Sequence, residues 1–249
     1  MKAIILAAGR GSRMKGQTEA RPKCLVVLAG RTLLSLQMAA LKRAGVADIG
    51  IVTGYRGEML RGPGITTFEN TRWSETNMVM SLCQADAWLS AEDCIVSYAD
   101  IFYAAETVTR LMRAPGGMAL SYDPDWLALW QSRFADPLSD AESFMLNARS
   151  EVIDIGRKVS SLDEVTGQYM GLLRFTPRSW AAIKDFLATL EPMARDKMDM
   201  TSLLSAMIKR DEKIVAVPTY PGWGEIDSES DLAYYEGEVA AGRLVLAAA

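Results

Sequence analysis

The chain begins with an apolar run that leads into a glycine-rich loop, and this order of residues constrains the fold more than any other feature. Residues 3–8 are apolar, which predicts a buried strand. Gly9-Arg10-Gly11-Ser12-Arg13, the glycine-rich loop, follows directly. Glycines after a strand let backbone N–H groups approach phosphate oxygens closely, and such concavities bind anions. The amino end therefore predicts a strand and loop that hold a phosphorylated ligand.

Two cations accompany the glycine-rich loop. Arg13 closes it, and Lys23 follows in Arg21-Pro22-Lys23. Arginine grips phosphate with a fork of donors, whereas lysine acts as a mobile point charge. The loop lacks the third glycine of the dinucleotide-binding fingerprint, and no Gly-Lys-Ser/Thr closes it as in a P-loop. These residues predict a triphosphate-binding loop of another kind.

Strand-like and helix-like segments alternate through the first half of the chain, as in a mostly parallel sheet with helices on its faces. The predicted strands are residues 3–8, 49–53, 65–68, 94–98, 118–122, 144–146, 152–155, 168–175 and 214–218. The predicted helices are residues 33–44, 77–89, 124–134 (helix or loop), 180–190, 201–209 and a last one from 231 onward. We expect an α/β fold with a Rossmann-like, mostly parallel sheet flanked by helices. It forms a single domain over residues 1–249, with a nucleotide-binding half (about 1–115) and an acceptor-binding half (about 116–236).

Composition and charge exclude several classes of protein. A net charge of −4 and a pI of about 5.1 argue against a nucleic-acid-binding surface. No stretch reaches the roughly 18 apolar residues of a membrane span, and the apolar run at the amino end is too short for a secretory signal, so we expect a cytoplasmic protein. The absence of histidine excludes a histidine base and His-ligated zinc. Any chemistry then depends on carboxylates, lysine, arginine and a hard metal ion.

Two aspartates stand where an α/β sheet places its ligands. Asp100 ends a predicted strand, and ligands bind at the carboxyl edge of such sheets. Asp227 follows a short apolar strand and precedes the last predicted helix. Mg²⁺ favours one or two carboxylates together with phosphate oxygens, which suits this pair. The structural alternatives stay open, since Asp100 could be a turn carboxylate and Asp227 a helix N-cap.

Residues 126–142, the tryptophan-rich segment, combine aromatic rings with charge. Trp126 and Trp130 are four positions apart and would share one face of a helix, and carboxylates that include Asp140 and Glu142 follow. One interpretation is a lid in which tryptophan faces and carboxylates bind a cationic headgroup. The other is an amphipathic stripe that packs into the core.

A longer string at the amino end resembles a known signature. Leu6-Ala7-Ala8-Gly9-Arg10-Gly11-Ser12-Arg13, with Arg21-Pro22-Lys23 after it, is similar to the motif of nucleotidyltransferases that make nucleotide-diphospho sugars and alcohols. The resemblance implies that the nucleotide is wrapped by Leu6, Ala8, Gly9, Gly11 and Ser12. It implies that Arg13 and Lys23 contact the phosphates and act in catalysis. It also implies that Asp100 and Asp227 hold a catalytic Mg²⁺ over those phosphates.

A second motif bears on the base. Thr76-Asn77-Met78, followed by Ser81, resembles the cytidylyltransferases that act on phosphocholine and related compounds. This resemblance implies CTP as the nucleotide, with Asn77 and Ser81 beside the cytosine and ribose. The longer Gln-Gly motifs expected in thymidylyl- and uridylyltransferases are missing. Asn77 alone is also a common helix cap.

The second half of the chain resembles one branch of these enzymes. The tryptophan-rich segment, Gln168-Tyr169-Met170-Gly171 and Asp199-Met200-Thr201-Ser202 are similar to bacterial cytidylyltransferases that charge phosphonates or small amino phosphates, such as 2-aminoethylphosphonate or phosphoglutamine, for surface polysaccharides. The acceptor-binding residues implied are Trp126, Trp130, Glu142, Lys158, Gln168 and Tyr169. The alternative for Lys158, in Gly156-Arg157-Lys158, is an exposed basic loop.

The sequence therefore predicts a Mg²⁺-dependent cytidylyltransferase that transfers CMP from CTP to a small phosphate or phosphonate and releases pyrophosphate. Such an acceptor is already an oxyanion and needs no general base, which suits a chain without histidine. Two other functions stay open: a sugar-1-phosphate nucleotidylyltransferase that uses UTP, dTTP or GTP, and a non-catalytic subunit that senses nucleotides. A homodimer is one assembly open to the chain.

Overall fold

A seven-stranded, mostly parallel sheet forms the centre of the molecule. The computed structural model describes residues 1–62, 64–219 and 222–246. Its strands are β1 (Lys2–Ala7), β2 (Val27–Leu28), β3 (Arg31–Thr32), β4 (Ile49–Thr53), β5 (Thr66–Glu69), β6 (Cys94–Tyr98), β7 (Ile101–Phe102), β8 (Met118–Asp123), β9 (Glu142–Leu146), β10 (Val152–Lys158), β11 (Gln168–Phe175), β12 (Ile214–Pro218) and β13 (Gly224–Glu225). The order across the central sheet is β12-β8-β11-β6-β1-β4-β5, and the remaining strands form the pairs β2–β3, β7–β13 and β9–β10.

Helices cover both faces of this sheet. They are α1 (Leu33–Arg43), α2 (Met78–Leu82), α3 (Asp86–Ala91), α4 (Ala105–Arg113), α5 (Trp126–Arg133), α6 (Pro177–Ala188), α7 (Pro192–Asp196), α8 (Met200–Lys209) and α9 (Glu229–Ala240). Alternate residues of β1 belong to the two cores, since Ala3 and Ile5 pack with one cluster and Ile4 with the other. Because both faces are covered, this strand is apolar throughout.

Strand direction confirms the predicted fold class. β6, β1, β4 and β5 run parallel to one another, and β12 runs parallel to β8. Only β11, within the seven-stranded sheet, is antiparallel to both of its neighbours. The carboxyl ends of β1 and β6 therefore meet at one edge, where the glycine-rich loop and Asp100 follow them.

A short strand pair brings the end of the chain to the same edge. β13 pairs antiparallel with β7, so that Glu225 lies opposite Ile101. The N–H of Ile226 then donates to the carbonyl oxygen of Asp100 at 2.9 Å. These contacts place Glu225 and Asp227 beside Asp100, although more than a hundred residues separate them along the chain.

One predicted helix differs in the structure. Residues 77–89 form two short helices, α2 and α3, with a 3₁₀ turn at Cys83–Ala85 between them. Ala85 leaves helical geometry (φ −93°, ψ 20°), and the carboxylate of Asp86 accepts a hydrogen bond from Trp180 Nε1 of α6 at 2.7 Å. Packing of α3 against α6 thus redirects the chain, a tertiary effect that local periodicity does not show.

Several elements fell outside the sequence predictions. The helices α4 and α7, the strand pair β2–β3 and the strand β7 were not predicted. The other predicted helices and strands, including the short strand before Asp227 (β13), are present with shifts of a few residues at their ends. Within the described residues, no helix has the length and apolar character needed to cross a membrane. Cys24, Cys83 and Cys94 are free thiols.

Candidate active site

A cavity of about 230 Å³ opens at the carboxyl edge of β1 and β6. It lies between the glycine-rich loop on one side and the start of α2 on the other. Its lining residues are Leu6, Ala7, Ala8, Gly9, Gly11, Arg13, Lys23, Cys24, Trp73, Thr76, Asn77, Met78, Ser81, Tyr98, Ala99 and Asp100. The structure thus brings the sequence-predicted nucleotide residues to one cavity, with the exception of Ser12, which begins the 3₁₀ segment Ser12–Thr18 and does not line it.

The glycine-rich loop needs glycine at its third position, Gly11. Gly11 has a left-handed backbone (φ 67°), which residues with a side chain rarely adopt. A Cβ at this position would lie 2.9 Å from the Cβ of Lys23. Thr18 fixes the turn from the other side, because its hydroxyl donates to the carbonyl oxygen of Gly11 at 2.9 Å. The loop can therefore close over Lys23 only with glycine here.

Lys23 lies between two aspartates at the base of the cavity. Its Nζ is 2.7 Å from Asp100 Oδ2 and also contacts Asp227 Oδ1, and its side chain is only 10% exposed. Burial alone would lower the pKa of this ammonium, but the charges of Asp100 and Asp227 outweigh burial and raise the pKa above its usual value. Arg13 Nη1 adds a second cation, 2.5 Å from Asp227 Oδ2. Lys23 is therefore held charged where phosphate oxygens would enter.

Glu225 is a third carboxylate at this place. Oxygen atoms of Asp100, Glu225 and Asp227 lie within 4.8 Å of one another. Burial, together with the charges of Asp100 and Asp227, raises the pKa of Glu225 to about 8. Asp100 Oδ1 is buried and has no hydrogen-bond partner among the described residues. A cation among the three oxygens would relieve both the repulsion and the unpaired oxygen, and an all-oxygen donor set suits Mg²⁺.

Glu225 was not predicted as a site residue, although the residues around it form a recognisable pattern. Glu225-Ile226-Asp227 alternates acid, apolar and acid, and Ile226 is fully buried. In an extended segment this alternation turns both acids to the same side. The alternative of Asp227 as a helix N-cap is wrong, because Ser228 caps α9 and forms a reciprocal capping box with Asp231. The side chain of Asp227 is thus available to Lys23 and Arg13.

The far side of the cavity is built from the start of α2. Asn77 caps this helix, since its Oδ1 accepts from the N–H of Met78 at 2.8 Å, and its Nδ2 donates to the carbonyl oxygen of Lys197 at 3.2 Å. Ser81 Oγ accepts from Asn70 Nδ2 at 3.0 Å. Trp73, which the sequence analysis did not single out, lines the same wall.

Four of the predicted acceptor residues lie together beyond Tyr98. Lys158 and Glu142 face each other across the β9–β10 hairpin, and Gln168 Nε2 donates to the carbonyl oxygen of Glu142 at 3.0 Å. The ring of Tyr169 packs edge-on against Tyr98, which lines the cavity, with ring centroids 5.7 Å apart. None of these four residues lines the cavity, and the hairpin and β11, which we call the second wall, adjoin it through the contact of Tyr169 with Tyr98.

Carboxylates dominate this second wall. Glu142 and Asp140 are exposed, yet desolvation by the surrounding protein raises the pKa of each. Asp199 adds to the shift at Glu142, while Thr201 opposes it with a hydrogen bond. Asp227 adds to the shift at Asp140. Raised carboxyl pKa values mean that a positive charge would be favoured here.

Trp126 and Trp130 do not lie on that wall. They are 4% and 3% exposed and belong to the core, with ring centroids 5.9 Å apart. Trp130 also packs 6.4 Å from Trp223 and covers the guanidinium of Arg133. Of the two interpretations of this segment, the structure places the rings in the core and leaves the carboxylates Asp140 and Glu142 at the surface.

Known proteins are similar to this chain in sequence and in fold. Residues 3–149 match the family described as the MobA-like NTP transferase domain. The chain is 36% identical to the CTP:phosphoglutamine cytidylyltransferase of Campylobacter jejuni over 251 aligned positions, which cover 93% of this chain and 98% of that protein. It is 33% identical to the 2-aminoethylphosphonate cytidylyltransferase of Lancefieldella rimae over 111 positions, 43% of this chain and 45% of that protein.

A solved structure shows the same architecture. The inositol-1-phosphate CTP transferase from T. maritima superposes with a TM-score of 0.73 at 18% identity, and the match covers 98% of this chain and 97% of that one. At this identity the likeness concerns the fold, a mostly parallel sheet flanked by helices. The match over more than half of the chain and the nearly full-length similarity to a relative both lead to one conclusion: the chain belongs to the nucleotidyltransferases with a MobA-like NTP transferase domain.

Proposed function

We propose that this protein is a cytidylyltransferase that transfers CMP from CTP to a small phosphate or phosphonate and releases pyrophosphate. The observation that carries the proposal is the placement of Lys23 and Arg13 against Asp100 and Asp227, at the base of a cavity rimmed by the glycine-rich loop. The nearly full-length similarity to a cytidylyltransferase supports the same nucleotide.

Asp100, Glu225 and Asp227 are the proposed ligands of Mg²⁺. Their oxygens are close enough to share one ion, and the buried Oδ1 of Asp100 has no other partner among the described residues. When bound, the ion would neutralise charge on the α-phosphate and on the leaving pyrophosphate. The sequence pointed to Asp100 and Asp227, and Glu225 enlarges that set.

Lys23 and Arg13 are proposed to bind the triphosphate. Backbone N–H groups of the glycine-rich loop would bind the same phosphates. Lys23 now balances two carboxylates, so it moves toward the phosphates when they arrive with their own negative charge. Held in this way, the α-phosphorus is exposed to attack by an acceptor oxygen, and catalysis consists of positioning and charge neutralisation.

The acceptor supplies its own nucleophile. An ionised phosphate or phosphonate oxygen attacks the α-phosphorus, the bond to pyrophosphate breaks, and no proton has to be removed. This suits a site without histidine. Lys158, opposite Glu142, is proposed to attract the acceptor's phosphate, and Gln168 and Tyr169 to shape the space for it.

We propose that the acceptor also carries an amine. Asp140 and Glu142 are surface carboxylates with raised pKa values, and an ammonium between them would favour their charged forms. A sugar phosphate, the acceptor of the alternative function, brings only neutral hydroxyls to this wall. Trp126 and Trp130 contribute by packing beneath it.

Cytosine is proposed to bind against α2, beside Asn77 and Ser81. Both side chains line the cavity, and each keeps hydrogen-bonding capacity after its contacts within the protein. Ser12 and the homodimer stay predictions. The non-catalytic alternative is disfavoured by the intact set of Lys23, Arg13 and three carboxylates, which binding alone does not require.

Pyrophosphate release tests the proposal. We would combine CTP, UTP, dTTP or GTP with Mg²⁺ and one of phosphocholine, phosphoethanolamine, 2-aminoethylphosphonate, phosphoglutamine or a hexose 1-phosphate. We expect release with CTP and an amine-bearing acceptor, and loss of it in Asp100→Asn. Asp48→Asn, an exposed aspartate before β4 at the opposite edge, is the matched control. Best turnover with a hexose phosphate and another nucleotide would favour the alternative, and nucleotide binding without turnover would favour the sensor.

A further inference from the structure

We propose that Asp231 and Arg133 are positioning residues, which hold Asp227 and Glu225 in the geometry that binds a divalent cation. The inference rests on the proposed function, because it concerns the carboxylates assigned there to the metal. Neither residue lines the cavity, and their side chains are only 6% and 1% exposed. They act through Asp227 and Glu225 and do not touch substrate.

Asp231 fixes the backbone on which Asp227 stands. Its Oδ2 accepts from the N–H of Asp227 at 3.0 Å and from the N–H and hydroxyl of Ser228 at 2.9 and 2.8 Å. The N–H of Asp231 returns a bond to the hydroxyl of Ser228 at 3.2 Å. This hydrogen-bond network fixes the start of α9 to the backbone of Asp227. It thereby sets the direction in which the Asp227 side chain points.

Arg133 connects that hydrogen-bond network to Glu225. Its Nε donates to Asp231 Oδ1 at 2.9 Å, while its Nη1 lies 3.8 Å from Glu225 Oε2. Nη1 is buried and has no hydrogen-bond partner among the described residues, so Glu225 is the carboxylate that this donor faces. One guanidinium thereby faces Glu225, which precedes Asp227 in the sequence, and Asp231, which follows it.

The tryptophan-rich segment holds the guanidinium in place. Its carbon Cζ lies 5.1 Å from the ring centroid of Trp130 and 5.0 Å from that of Phe134. Trp130 in turn packs against Trp126 and Trp223. Aromatic faces attract a cation and limit its rotation. The tryptophans thus gain a role in the site without reaching a ligand.

Stability alone does not account for this ion pair. A buried pair costs desolvation of both charges, and well-packed apolar residues often serve stability as well or better. The pair is nevertheless close and well oriented, since Arg133 Nε donates to Asp231 Oδ1 at 2.9 Å. What a charged pair supplies here, and an apolar pair cannot, is acceptors for the Asp227 and Ser228 amides and a donor toward Glu225.

Mn²⁺ binding to the full chain, followed by electron paramagnetic resonance without nucleotide, tests the inference. We expect the dissociation constant to rise about 10- to 100-fold in Asp231→Asn and Arg133→Met, the usual effect of removing a partner that orients a metal ligand. Charge alone predicts the opposite sign for Arg133→Met, because loss of a nearby positive charge favours a cation. The direction of the change therefore separates positioning from electrostatics.

Arg174→Met is the matched control. Arg174 is also a buried arginine, 6% exposed, and it donates to the carbonyl oxygen of Gly116 at 2.5 Å and pairs with Asp93 at 3.6 Å near the amino end of β6. We expect this variant to lose stability without a change in Mn²⁺ affinity. A fall in affinity equal to that of Arg133→Met would show a general effect of destabilisation and overturn the inference.

Hydrogen exchange supplies a readout that needs no metal. We expect the amides of Asp227 and Ser228 to exchange faster in Asp231→Asn, because asparagine has one acceptor oxygen in place of two and Arg133 competes for it. Unchanged or tighter Mn²⁺ binding in folded Asp231→Asn and Arg133→Met would overturn the inference. Loss of the Asp231 charge alone also weakens cation binding. Where Arg133→Met fails to fold, the exchange of the Asp227 and Ser228 amides in Asp231→Asn therefore decides the matter, and unchanged exchange there would overturn the inference. A wild-type protein that binds no Mn²⁺, even with CTP, would overturn the metal assignment itself, and this inference with it.

Discussion

The glycine-rich loop and the tryptophan-rich segment contribute to the site in opposite ways. The loop exposes backbone and Arg13 to the cavity, and Lys23 lies directly under it. The tryptophan-rich segment turns its two most conspicuous side chains, Trp126 and Trp130, into the core. Its carboxylates Asp136, Asp140 and Glu142 remain at the surface. Under the proposed function, one region binds ligands directly, and the other acts on the site through its packing.

Local geometry decides the role of the glycine-rich loop, whereas tertiary packing decides the role of the tryptophans. Glycine at positive φ and backbone N–H groups bind phosphate by local geometry, so the loop's function is contained in a few consecutive residues. The place of an indole ring depends on what packs against it, here Phe134, Arg133 and Trp223. A helix with two tryptophans on one face is consistent with either a lid or a core.

The largest effect is expected at Lys23. We predict that Lys23→Ala lowers kcat/KM for nucleotidyl transfer by roughly 10²–10³, as for loss of a charge partner of the transition state. Steady-state kinetics with CTP and the best acceptor measures it, and a thermal melt checks that the variant is folded. Lys213→Ala, at the exposed turn before β12, should match the wild type. An unchanged rate in folded Lys23→Ala would remove Lys23 from catalysis.

A second prediction concerns the metal before nucleotide arrives. Lys23 Nζ contacts Asp100 and Asp227, two of the proposed metal ligands, so ammonium and metal compete for the same oxygens. We predict that Lys23→Met tightens Mn²⁺ binding to nucleotide-free protein by roughly tenfold or more, because a positive charge leaves the site. Paramagnetic resonance titration measures it. Equal affinity of Lys23→Met and wild type would mean that the metal binds elsewhere.

A third prediction separates the carboxylates of the tryptophan-rich segment from its rings. We predict that Glu142→Gln raises the KM of the acceptor by about fivefold and leaves the KM of CTP unchanged, since it removes one charge-assisted contact to an amine. Trp126→Phe, which keeps an aromatic ring in the core, should lower stability with little effect on either KM. A larger change of acceptor KM in Trp126→Phe than in Glu142→Gln would favour the interpretation of this segment as a lid over the acceptor.

The smallest effect is expected from acid. The pKa of Asp231 is lowered in the folded protein, so the stability it contributes is present above its unfolded pKa and is lost as pH falls through the folded value. From about pH 5 to about pH 3, the free energy of unfolding should therefore fall more in the wild type than in Asp231→Asn. Urea titrations at both pH values measure it. Parallel losses in the two proteins would show that the Arg133–Asp231 pair does not stay charged.

Much of the fold could be predicted from the sequence, and the reason is local. Apolar runs and the helix cap at Thr32 identified β1, β4, β6 and α1 because each depends on neighbours in sequence. The pairing of β7 with β13 was not predicted, for the opposite reason. Its two-residue strands have no periodicity and exist because distant parts of the chain meet.

The site divides in the same way. The cavity wall formed by Gly9 and Gly11 followed from consecutive residues, and Asp100 and Asp227 from their places after strands. Glu225 was not predicted because the alternation of Glu225 and Asp227 indicates a shared side only where the segment is known to be extended and to lie at the sheet edge. The partnership of Arg133 and Asp231 joins α5 to α9 across 98 positions of sequence, and no local pattern predicts such a pair.

An isotope-labelling experiment can show which phosphorus atom of CTP is attacked, and so whether the protein transfers CMP. The protein would be incubated with Mg²⁺, an amine-bearing phosphate or phosphonate, and CTP labelled at either the α- or the γ-phosphorus, and the products would be separated and identified by mass. We predict that the α label enters a CMP–acceptor product and that the γ label leaves in pyrophosphate, and that both changes are roughly 10²–10³ slower in Lys23→Ala. Transfer of the γ label to the acceptor, or intact CTP after long incubation with every acceptor, would contradict the account.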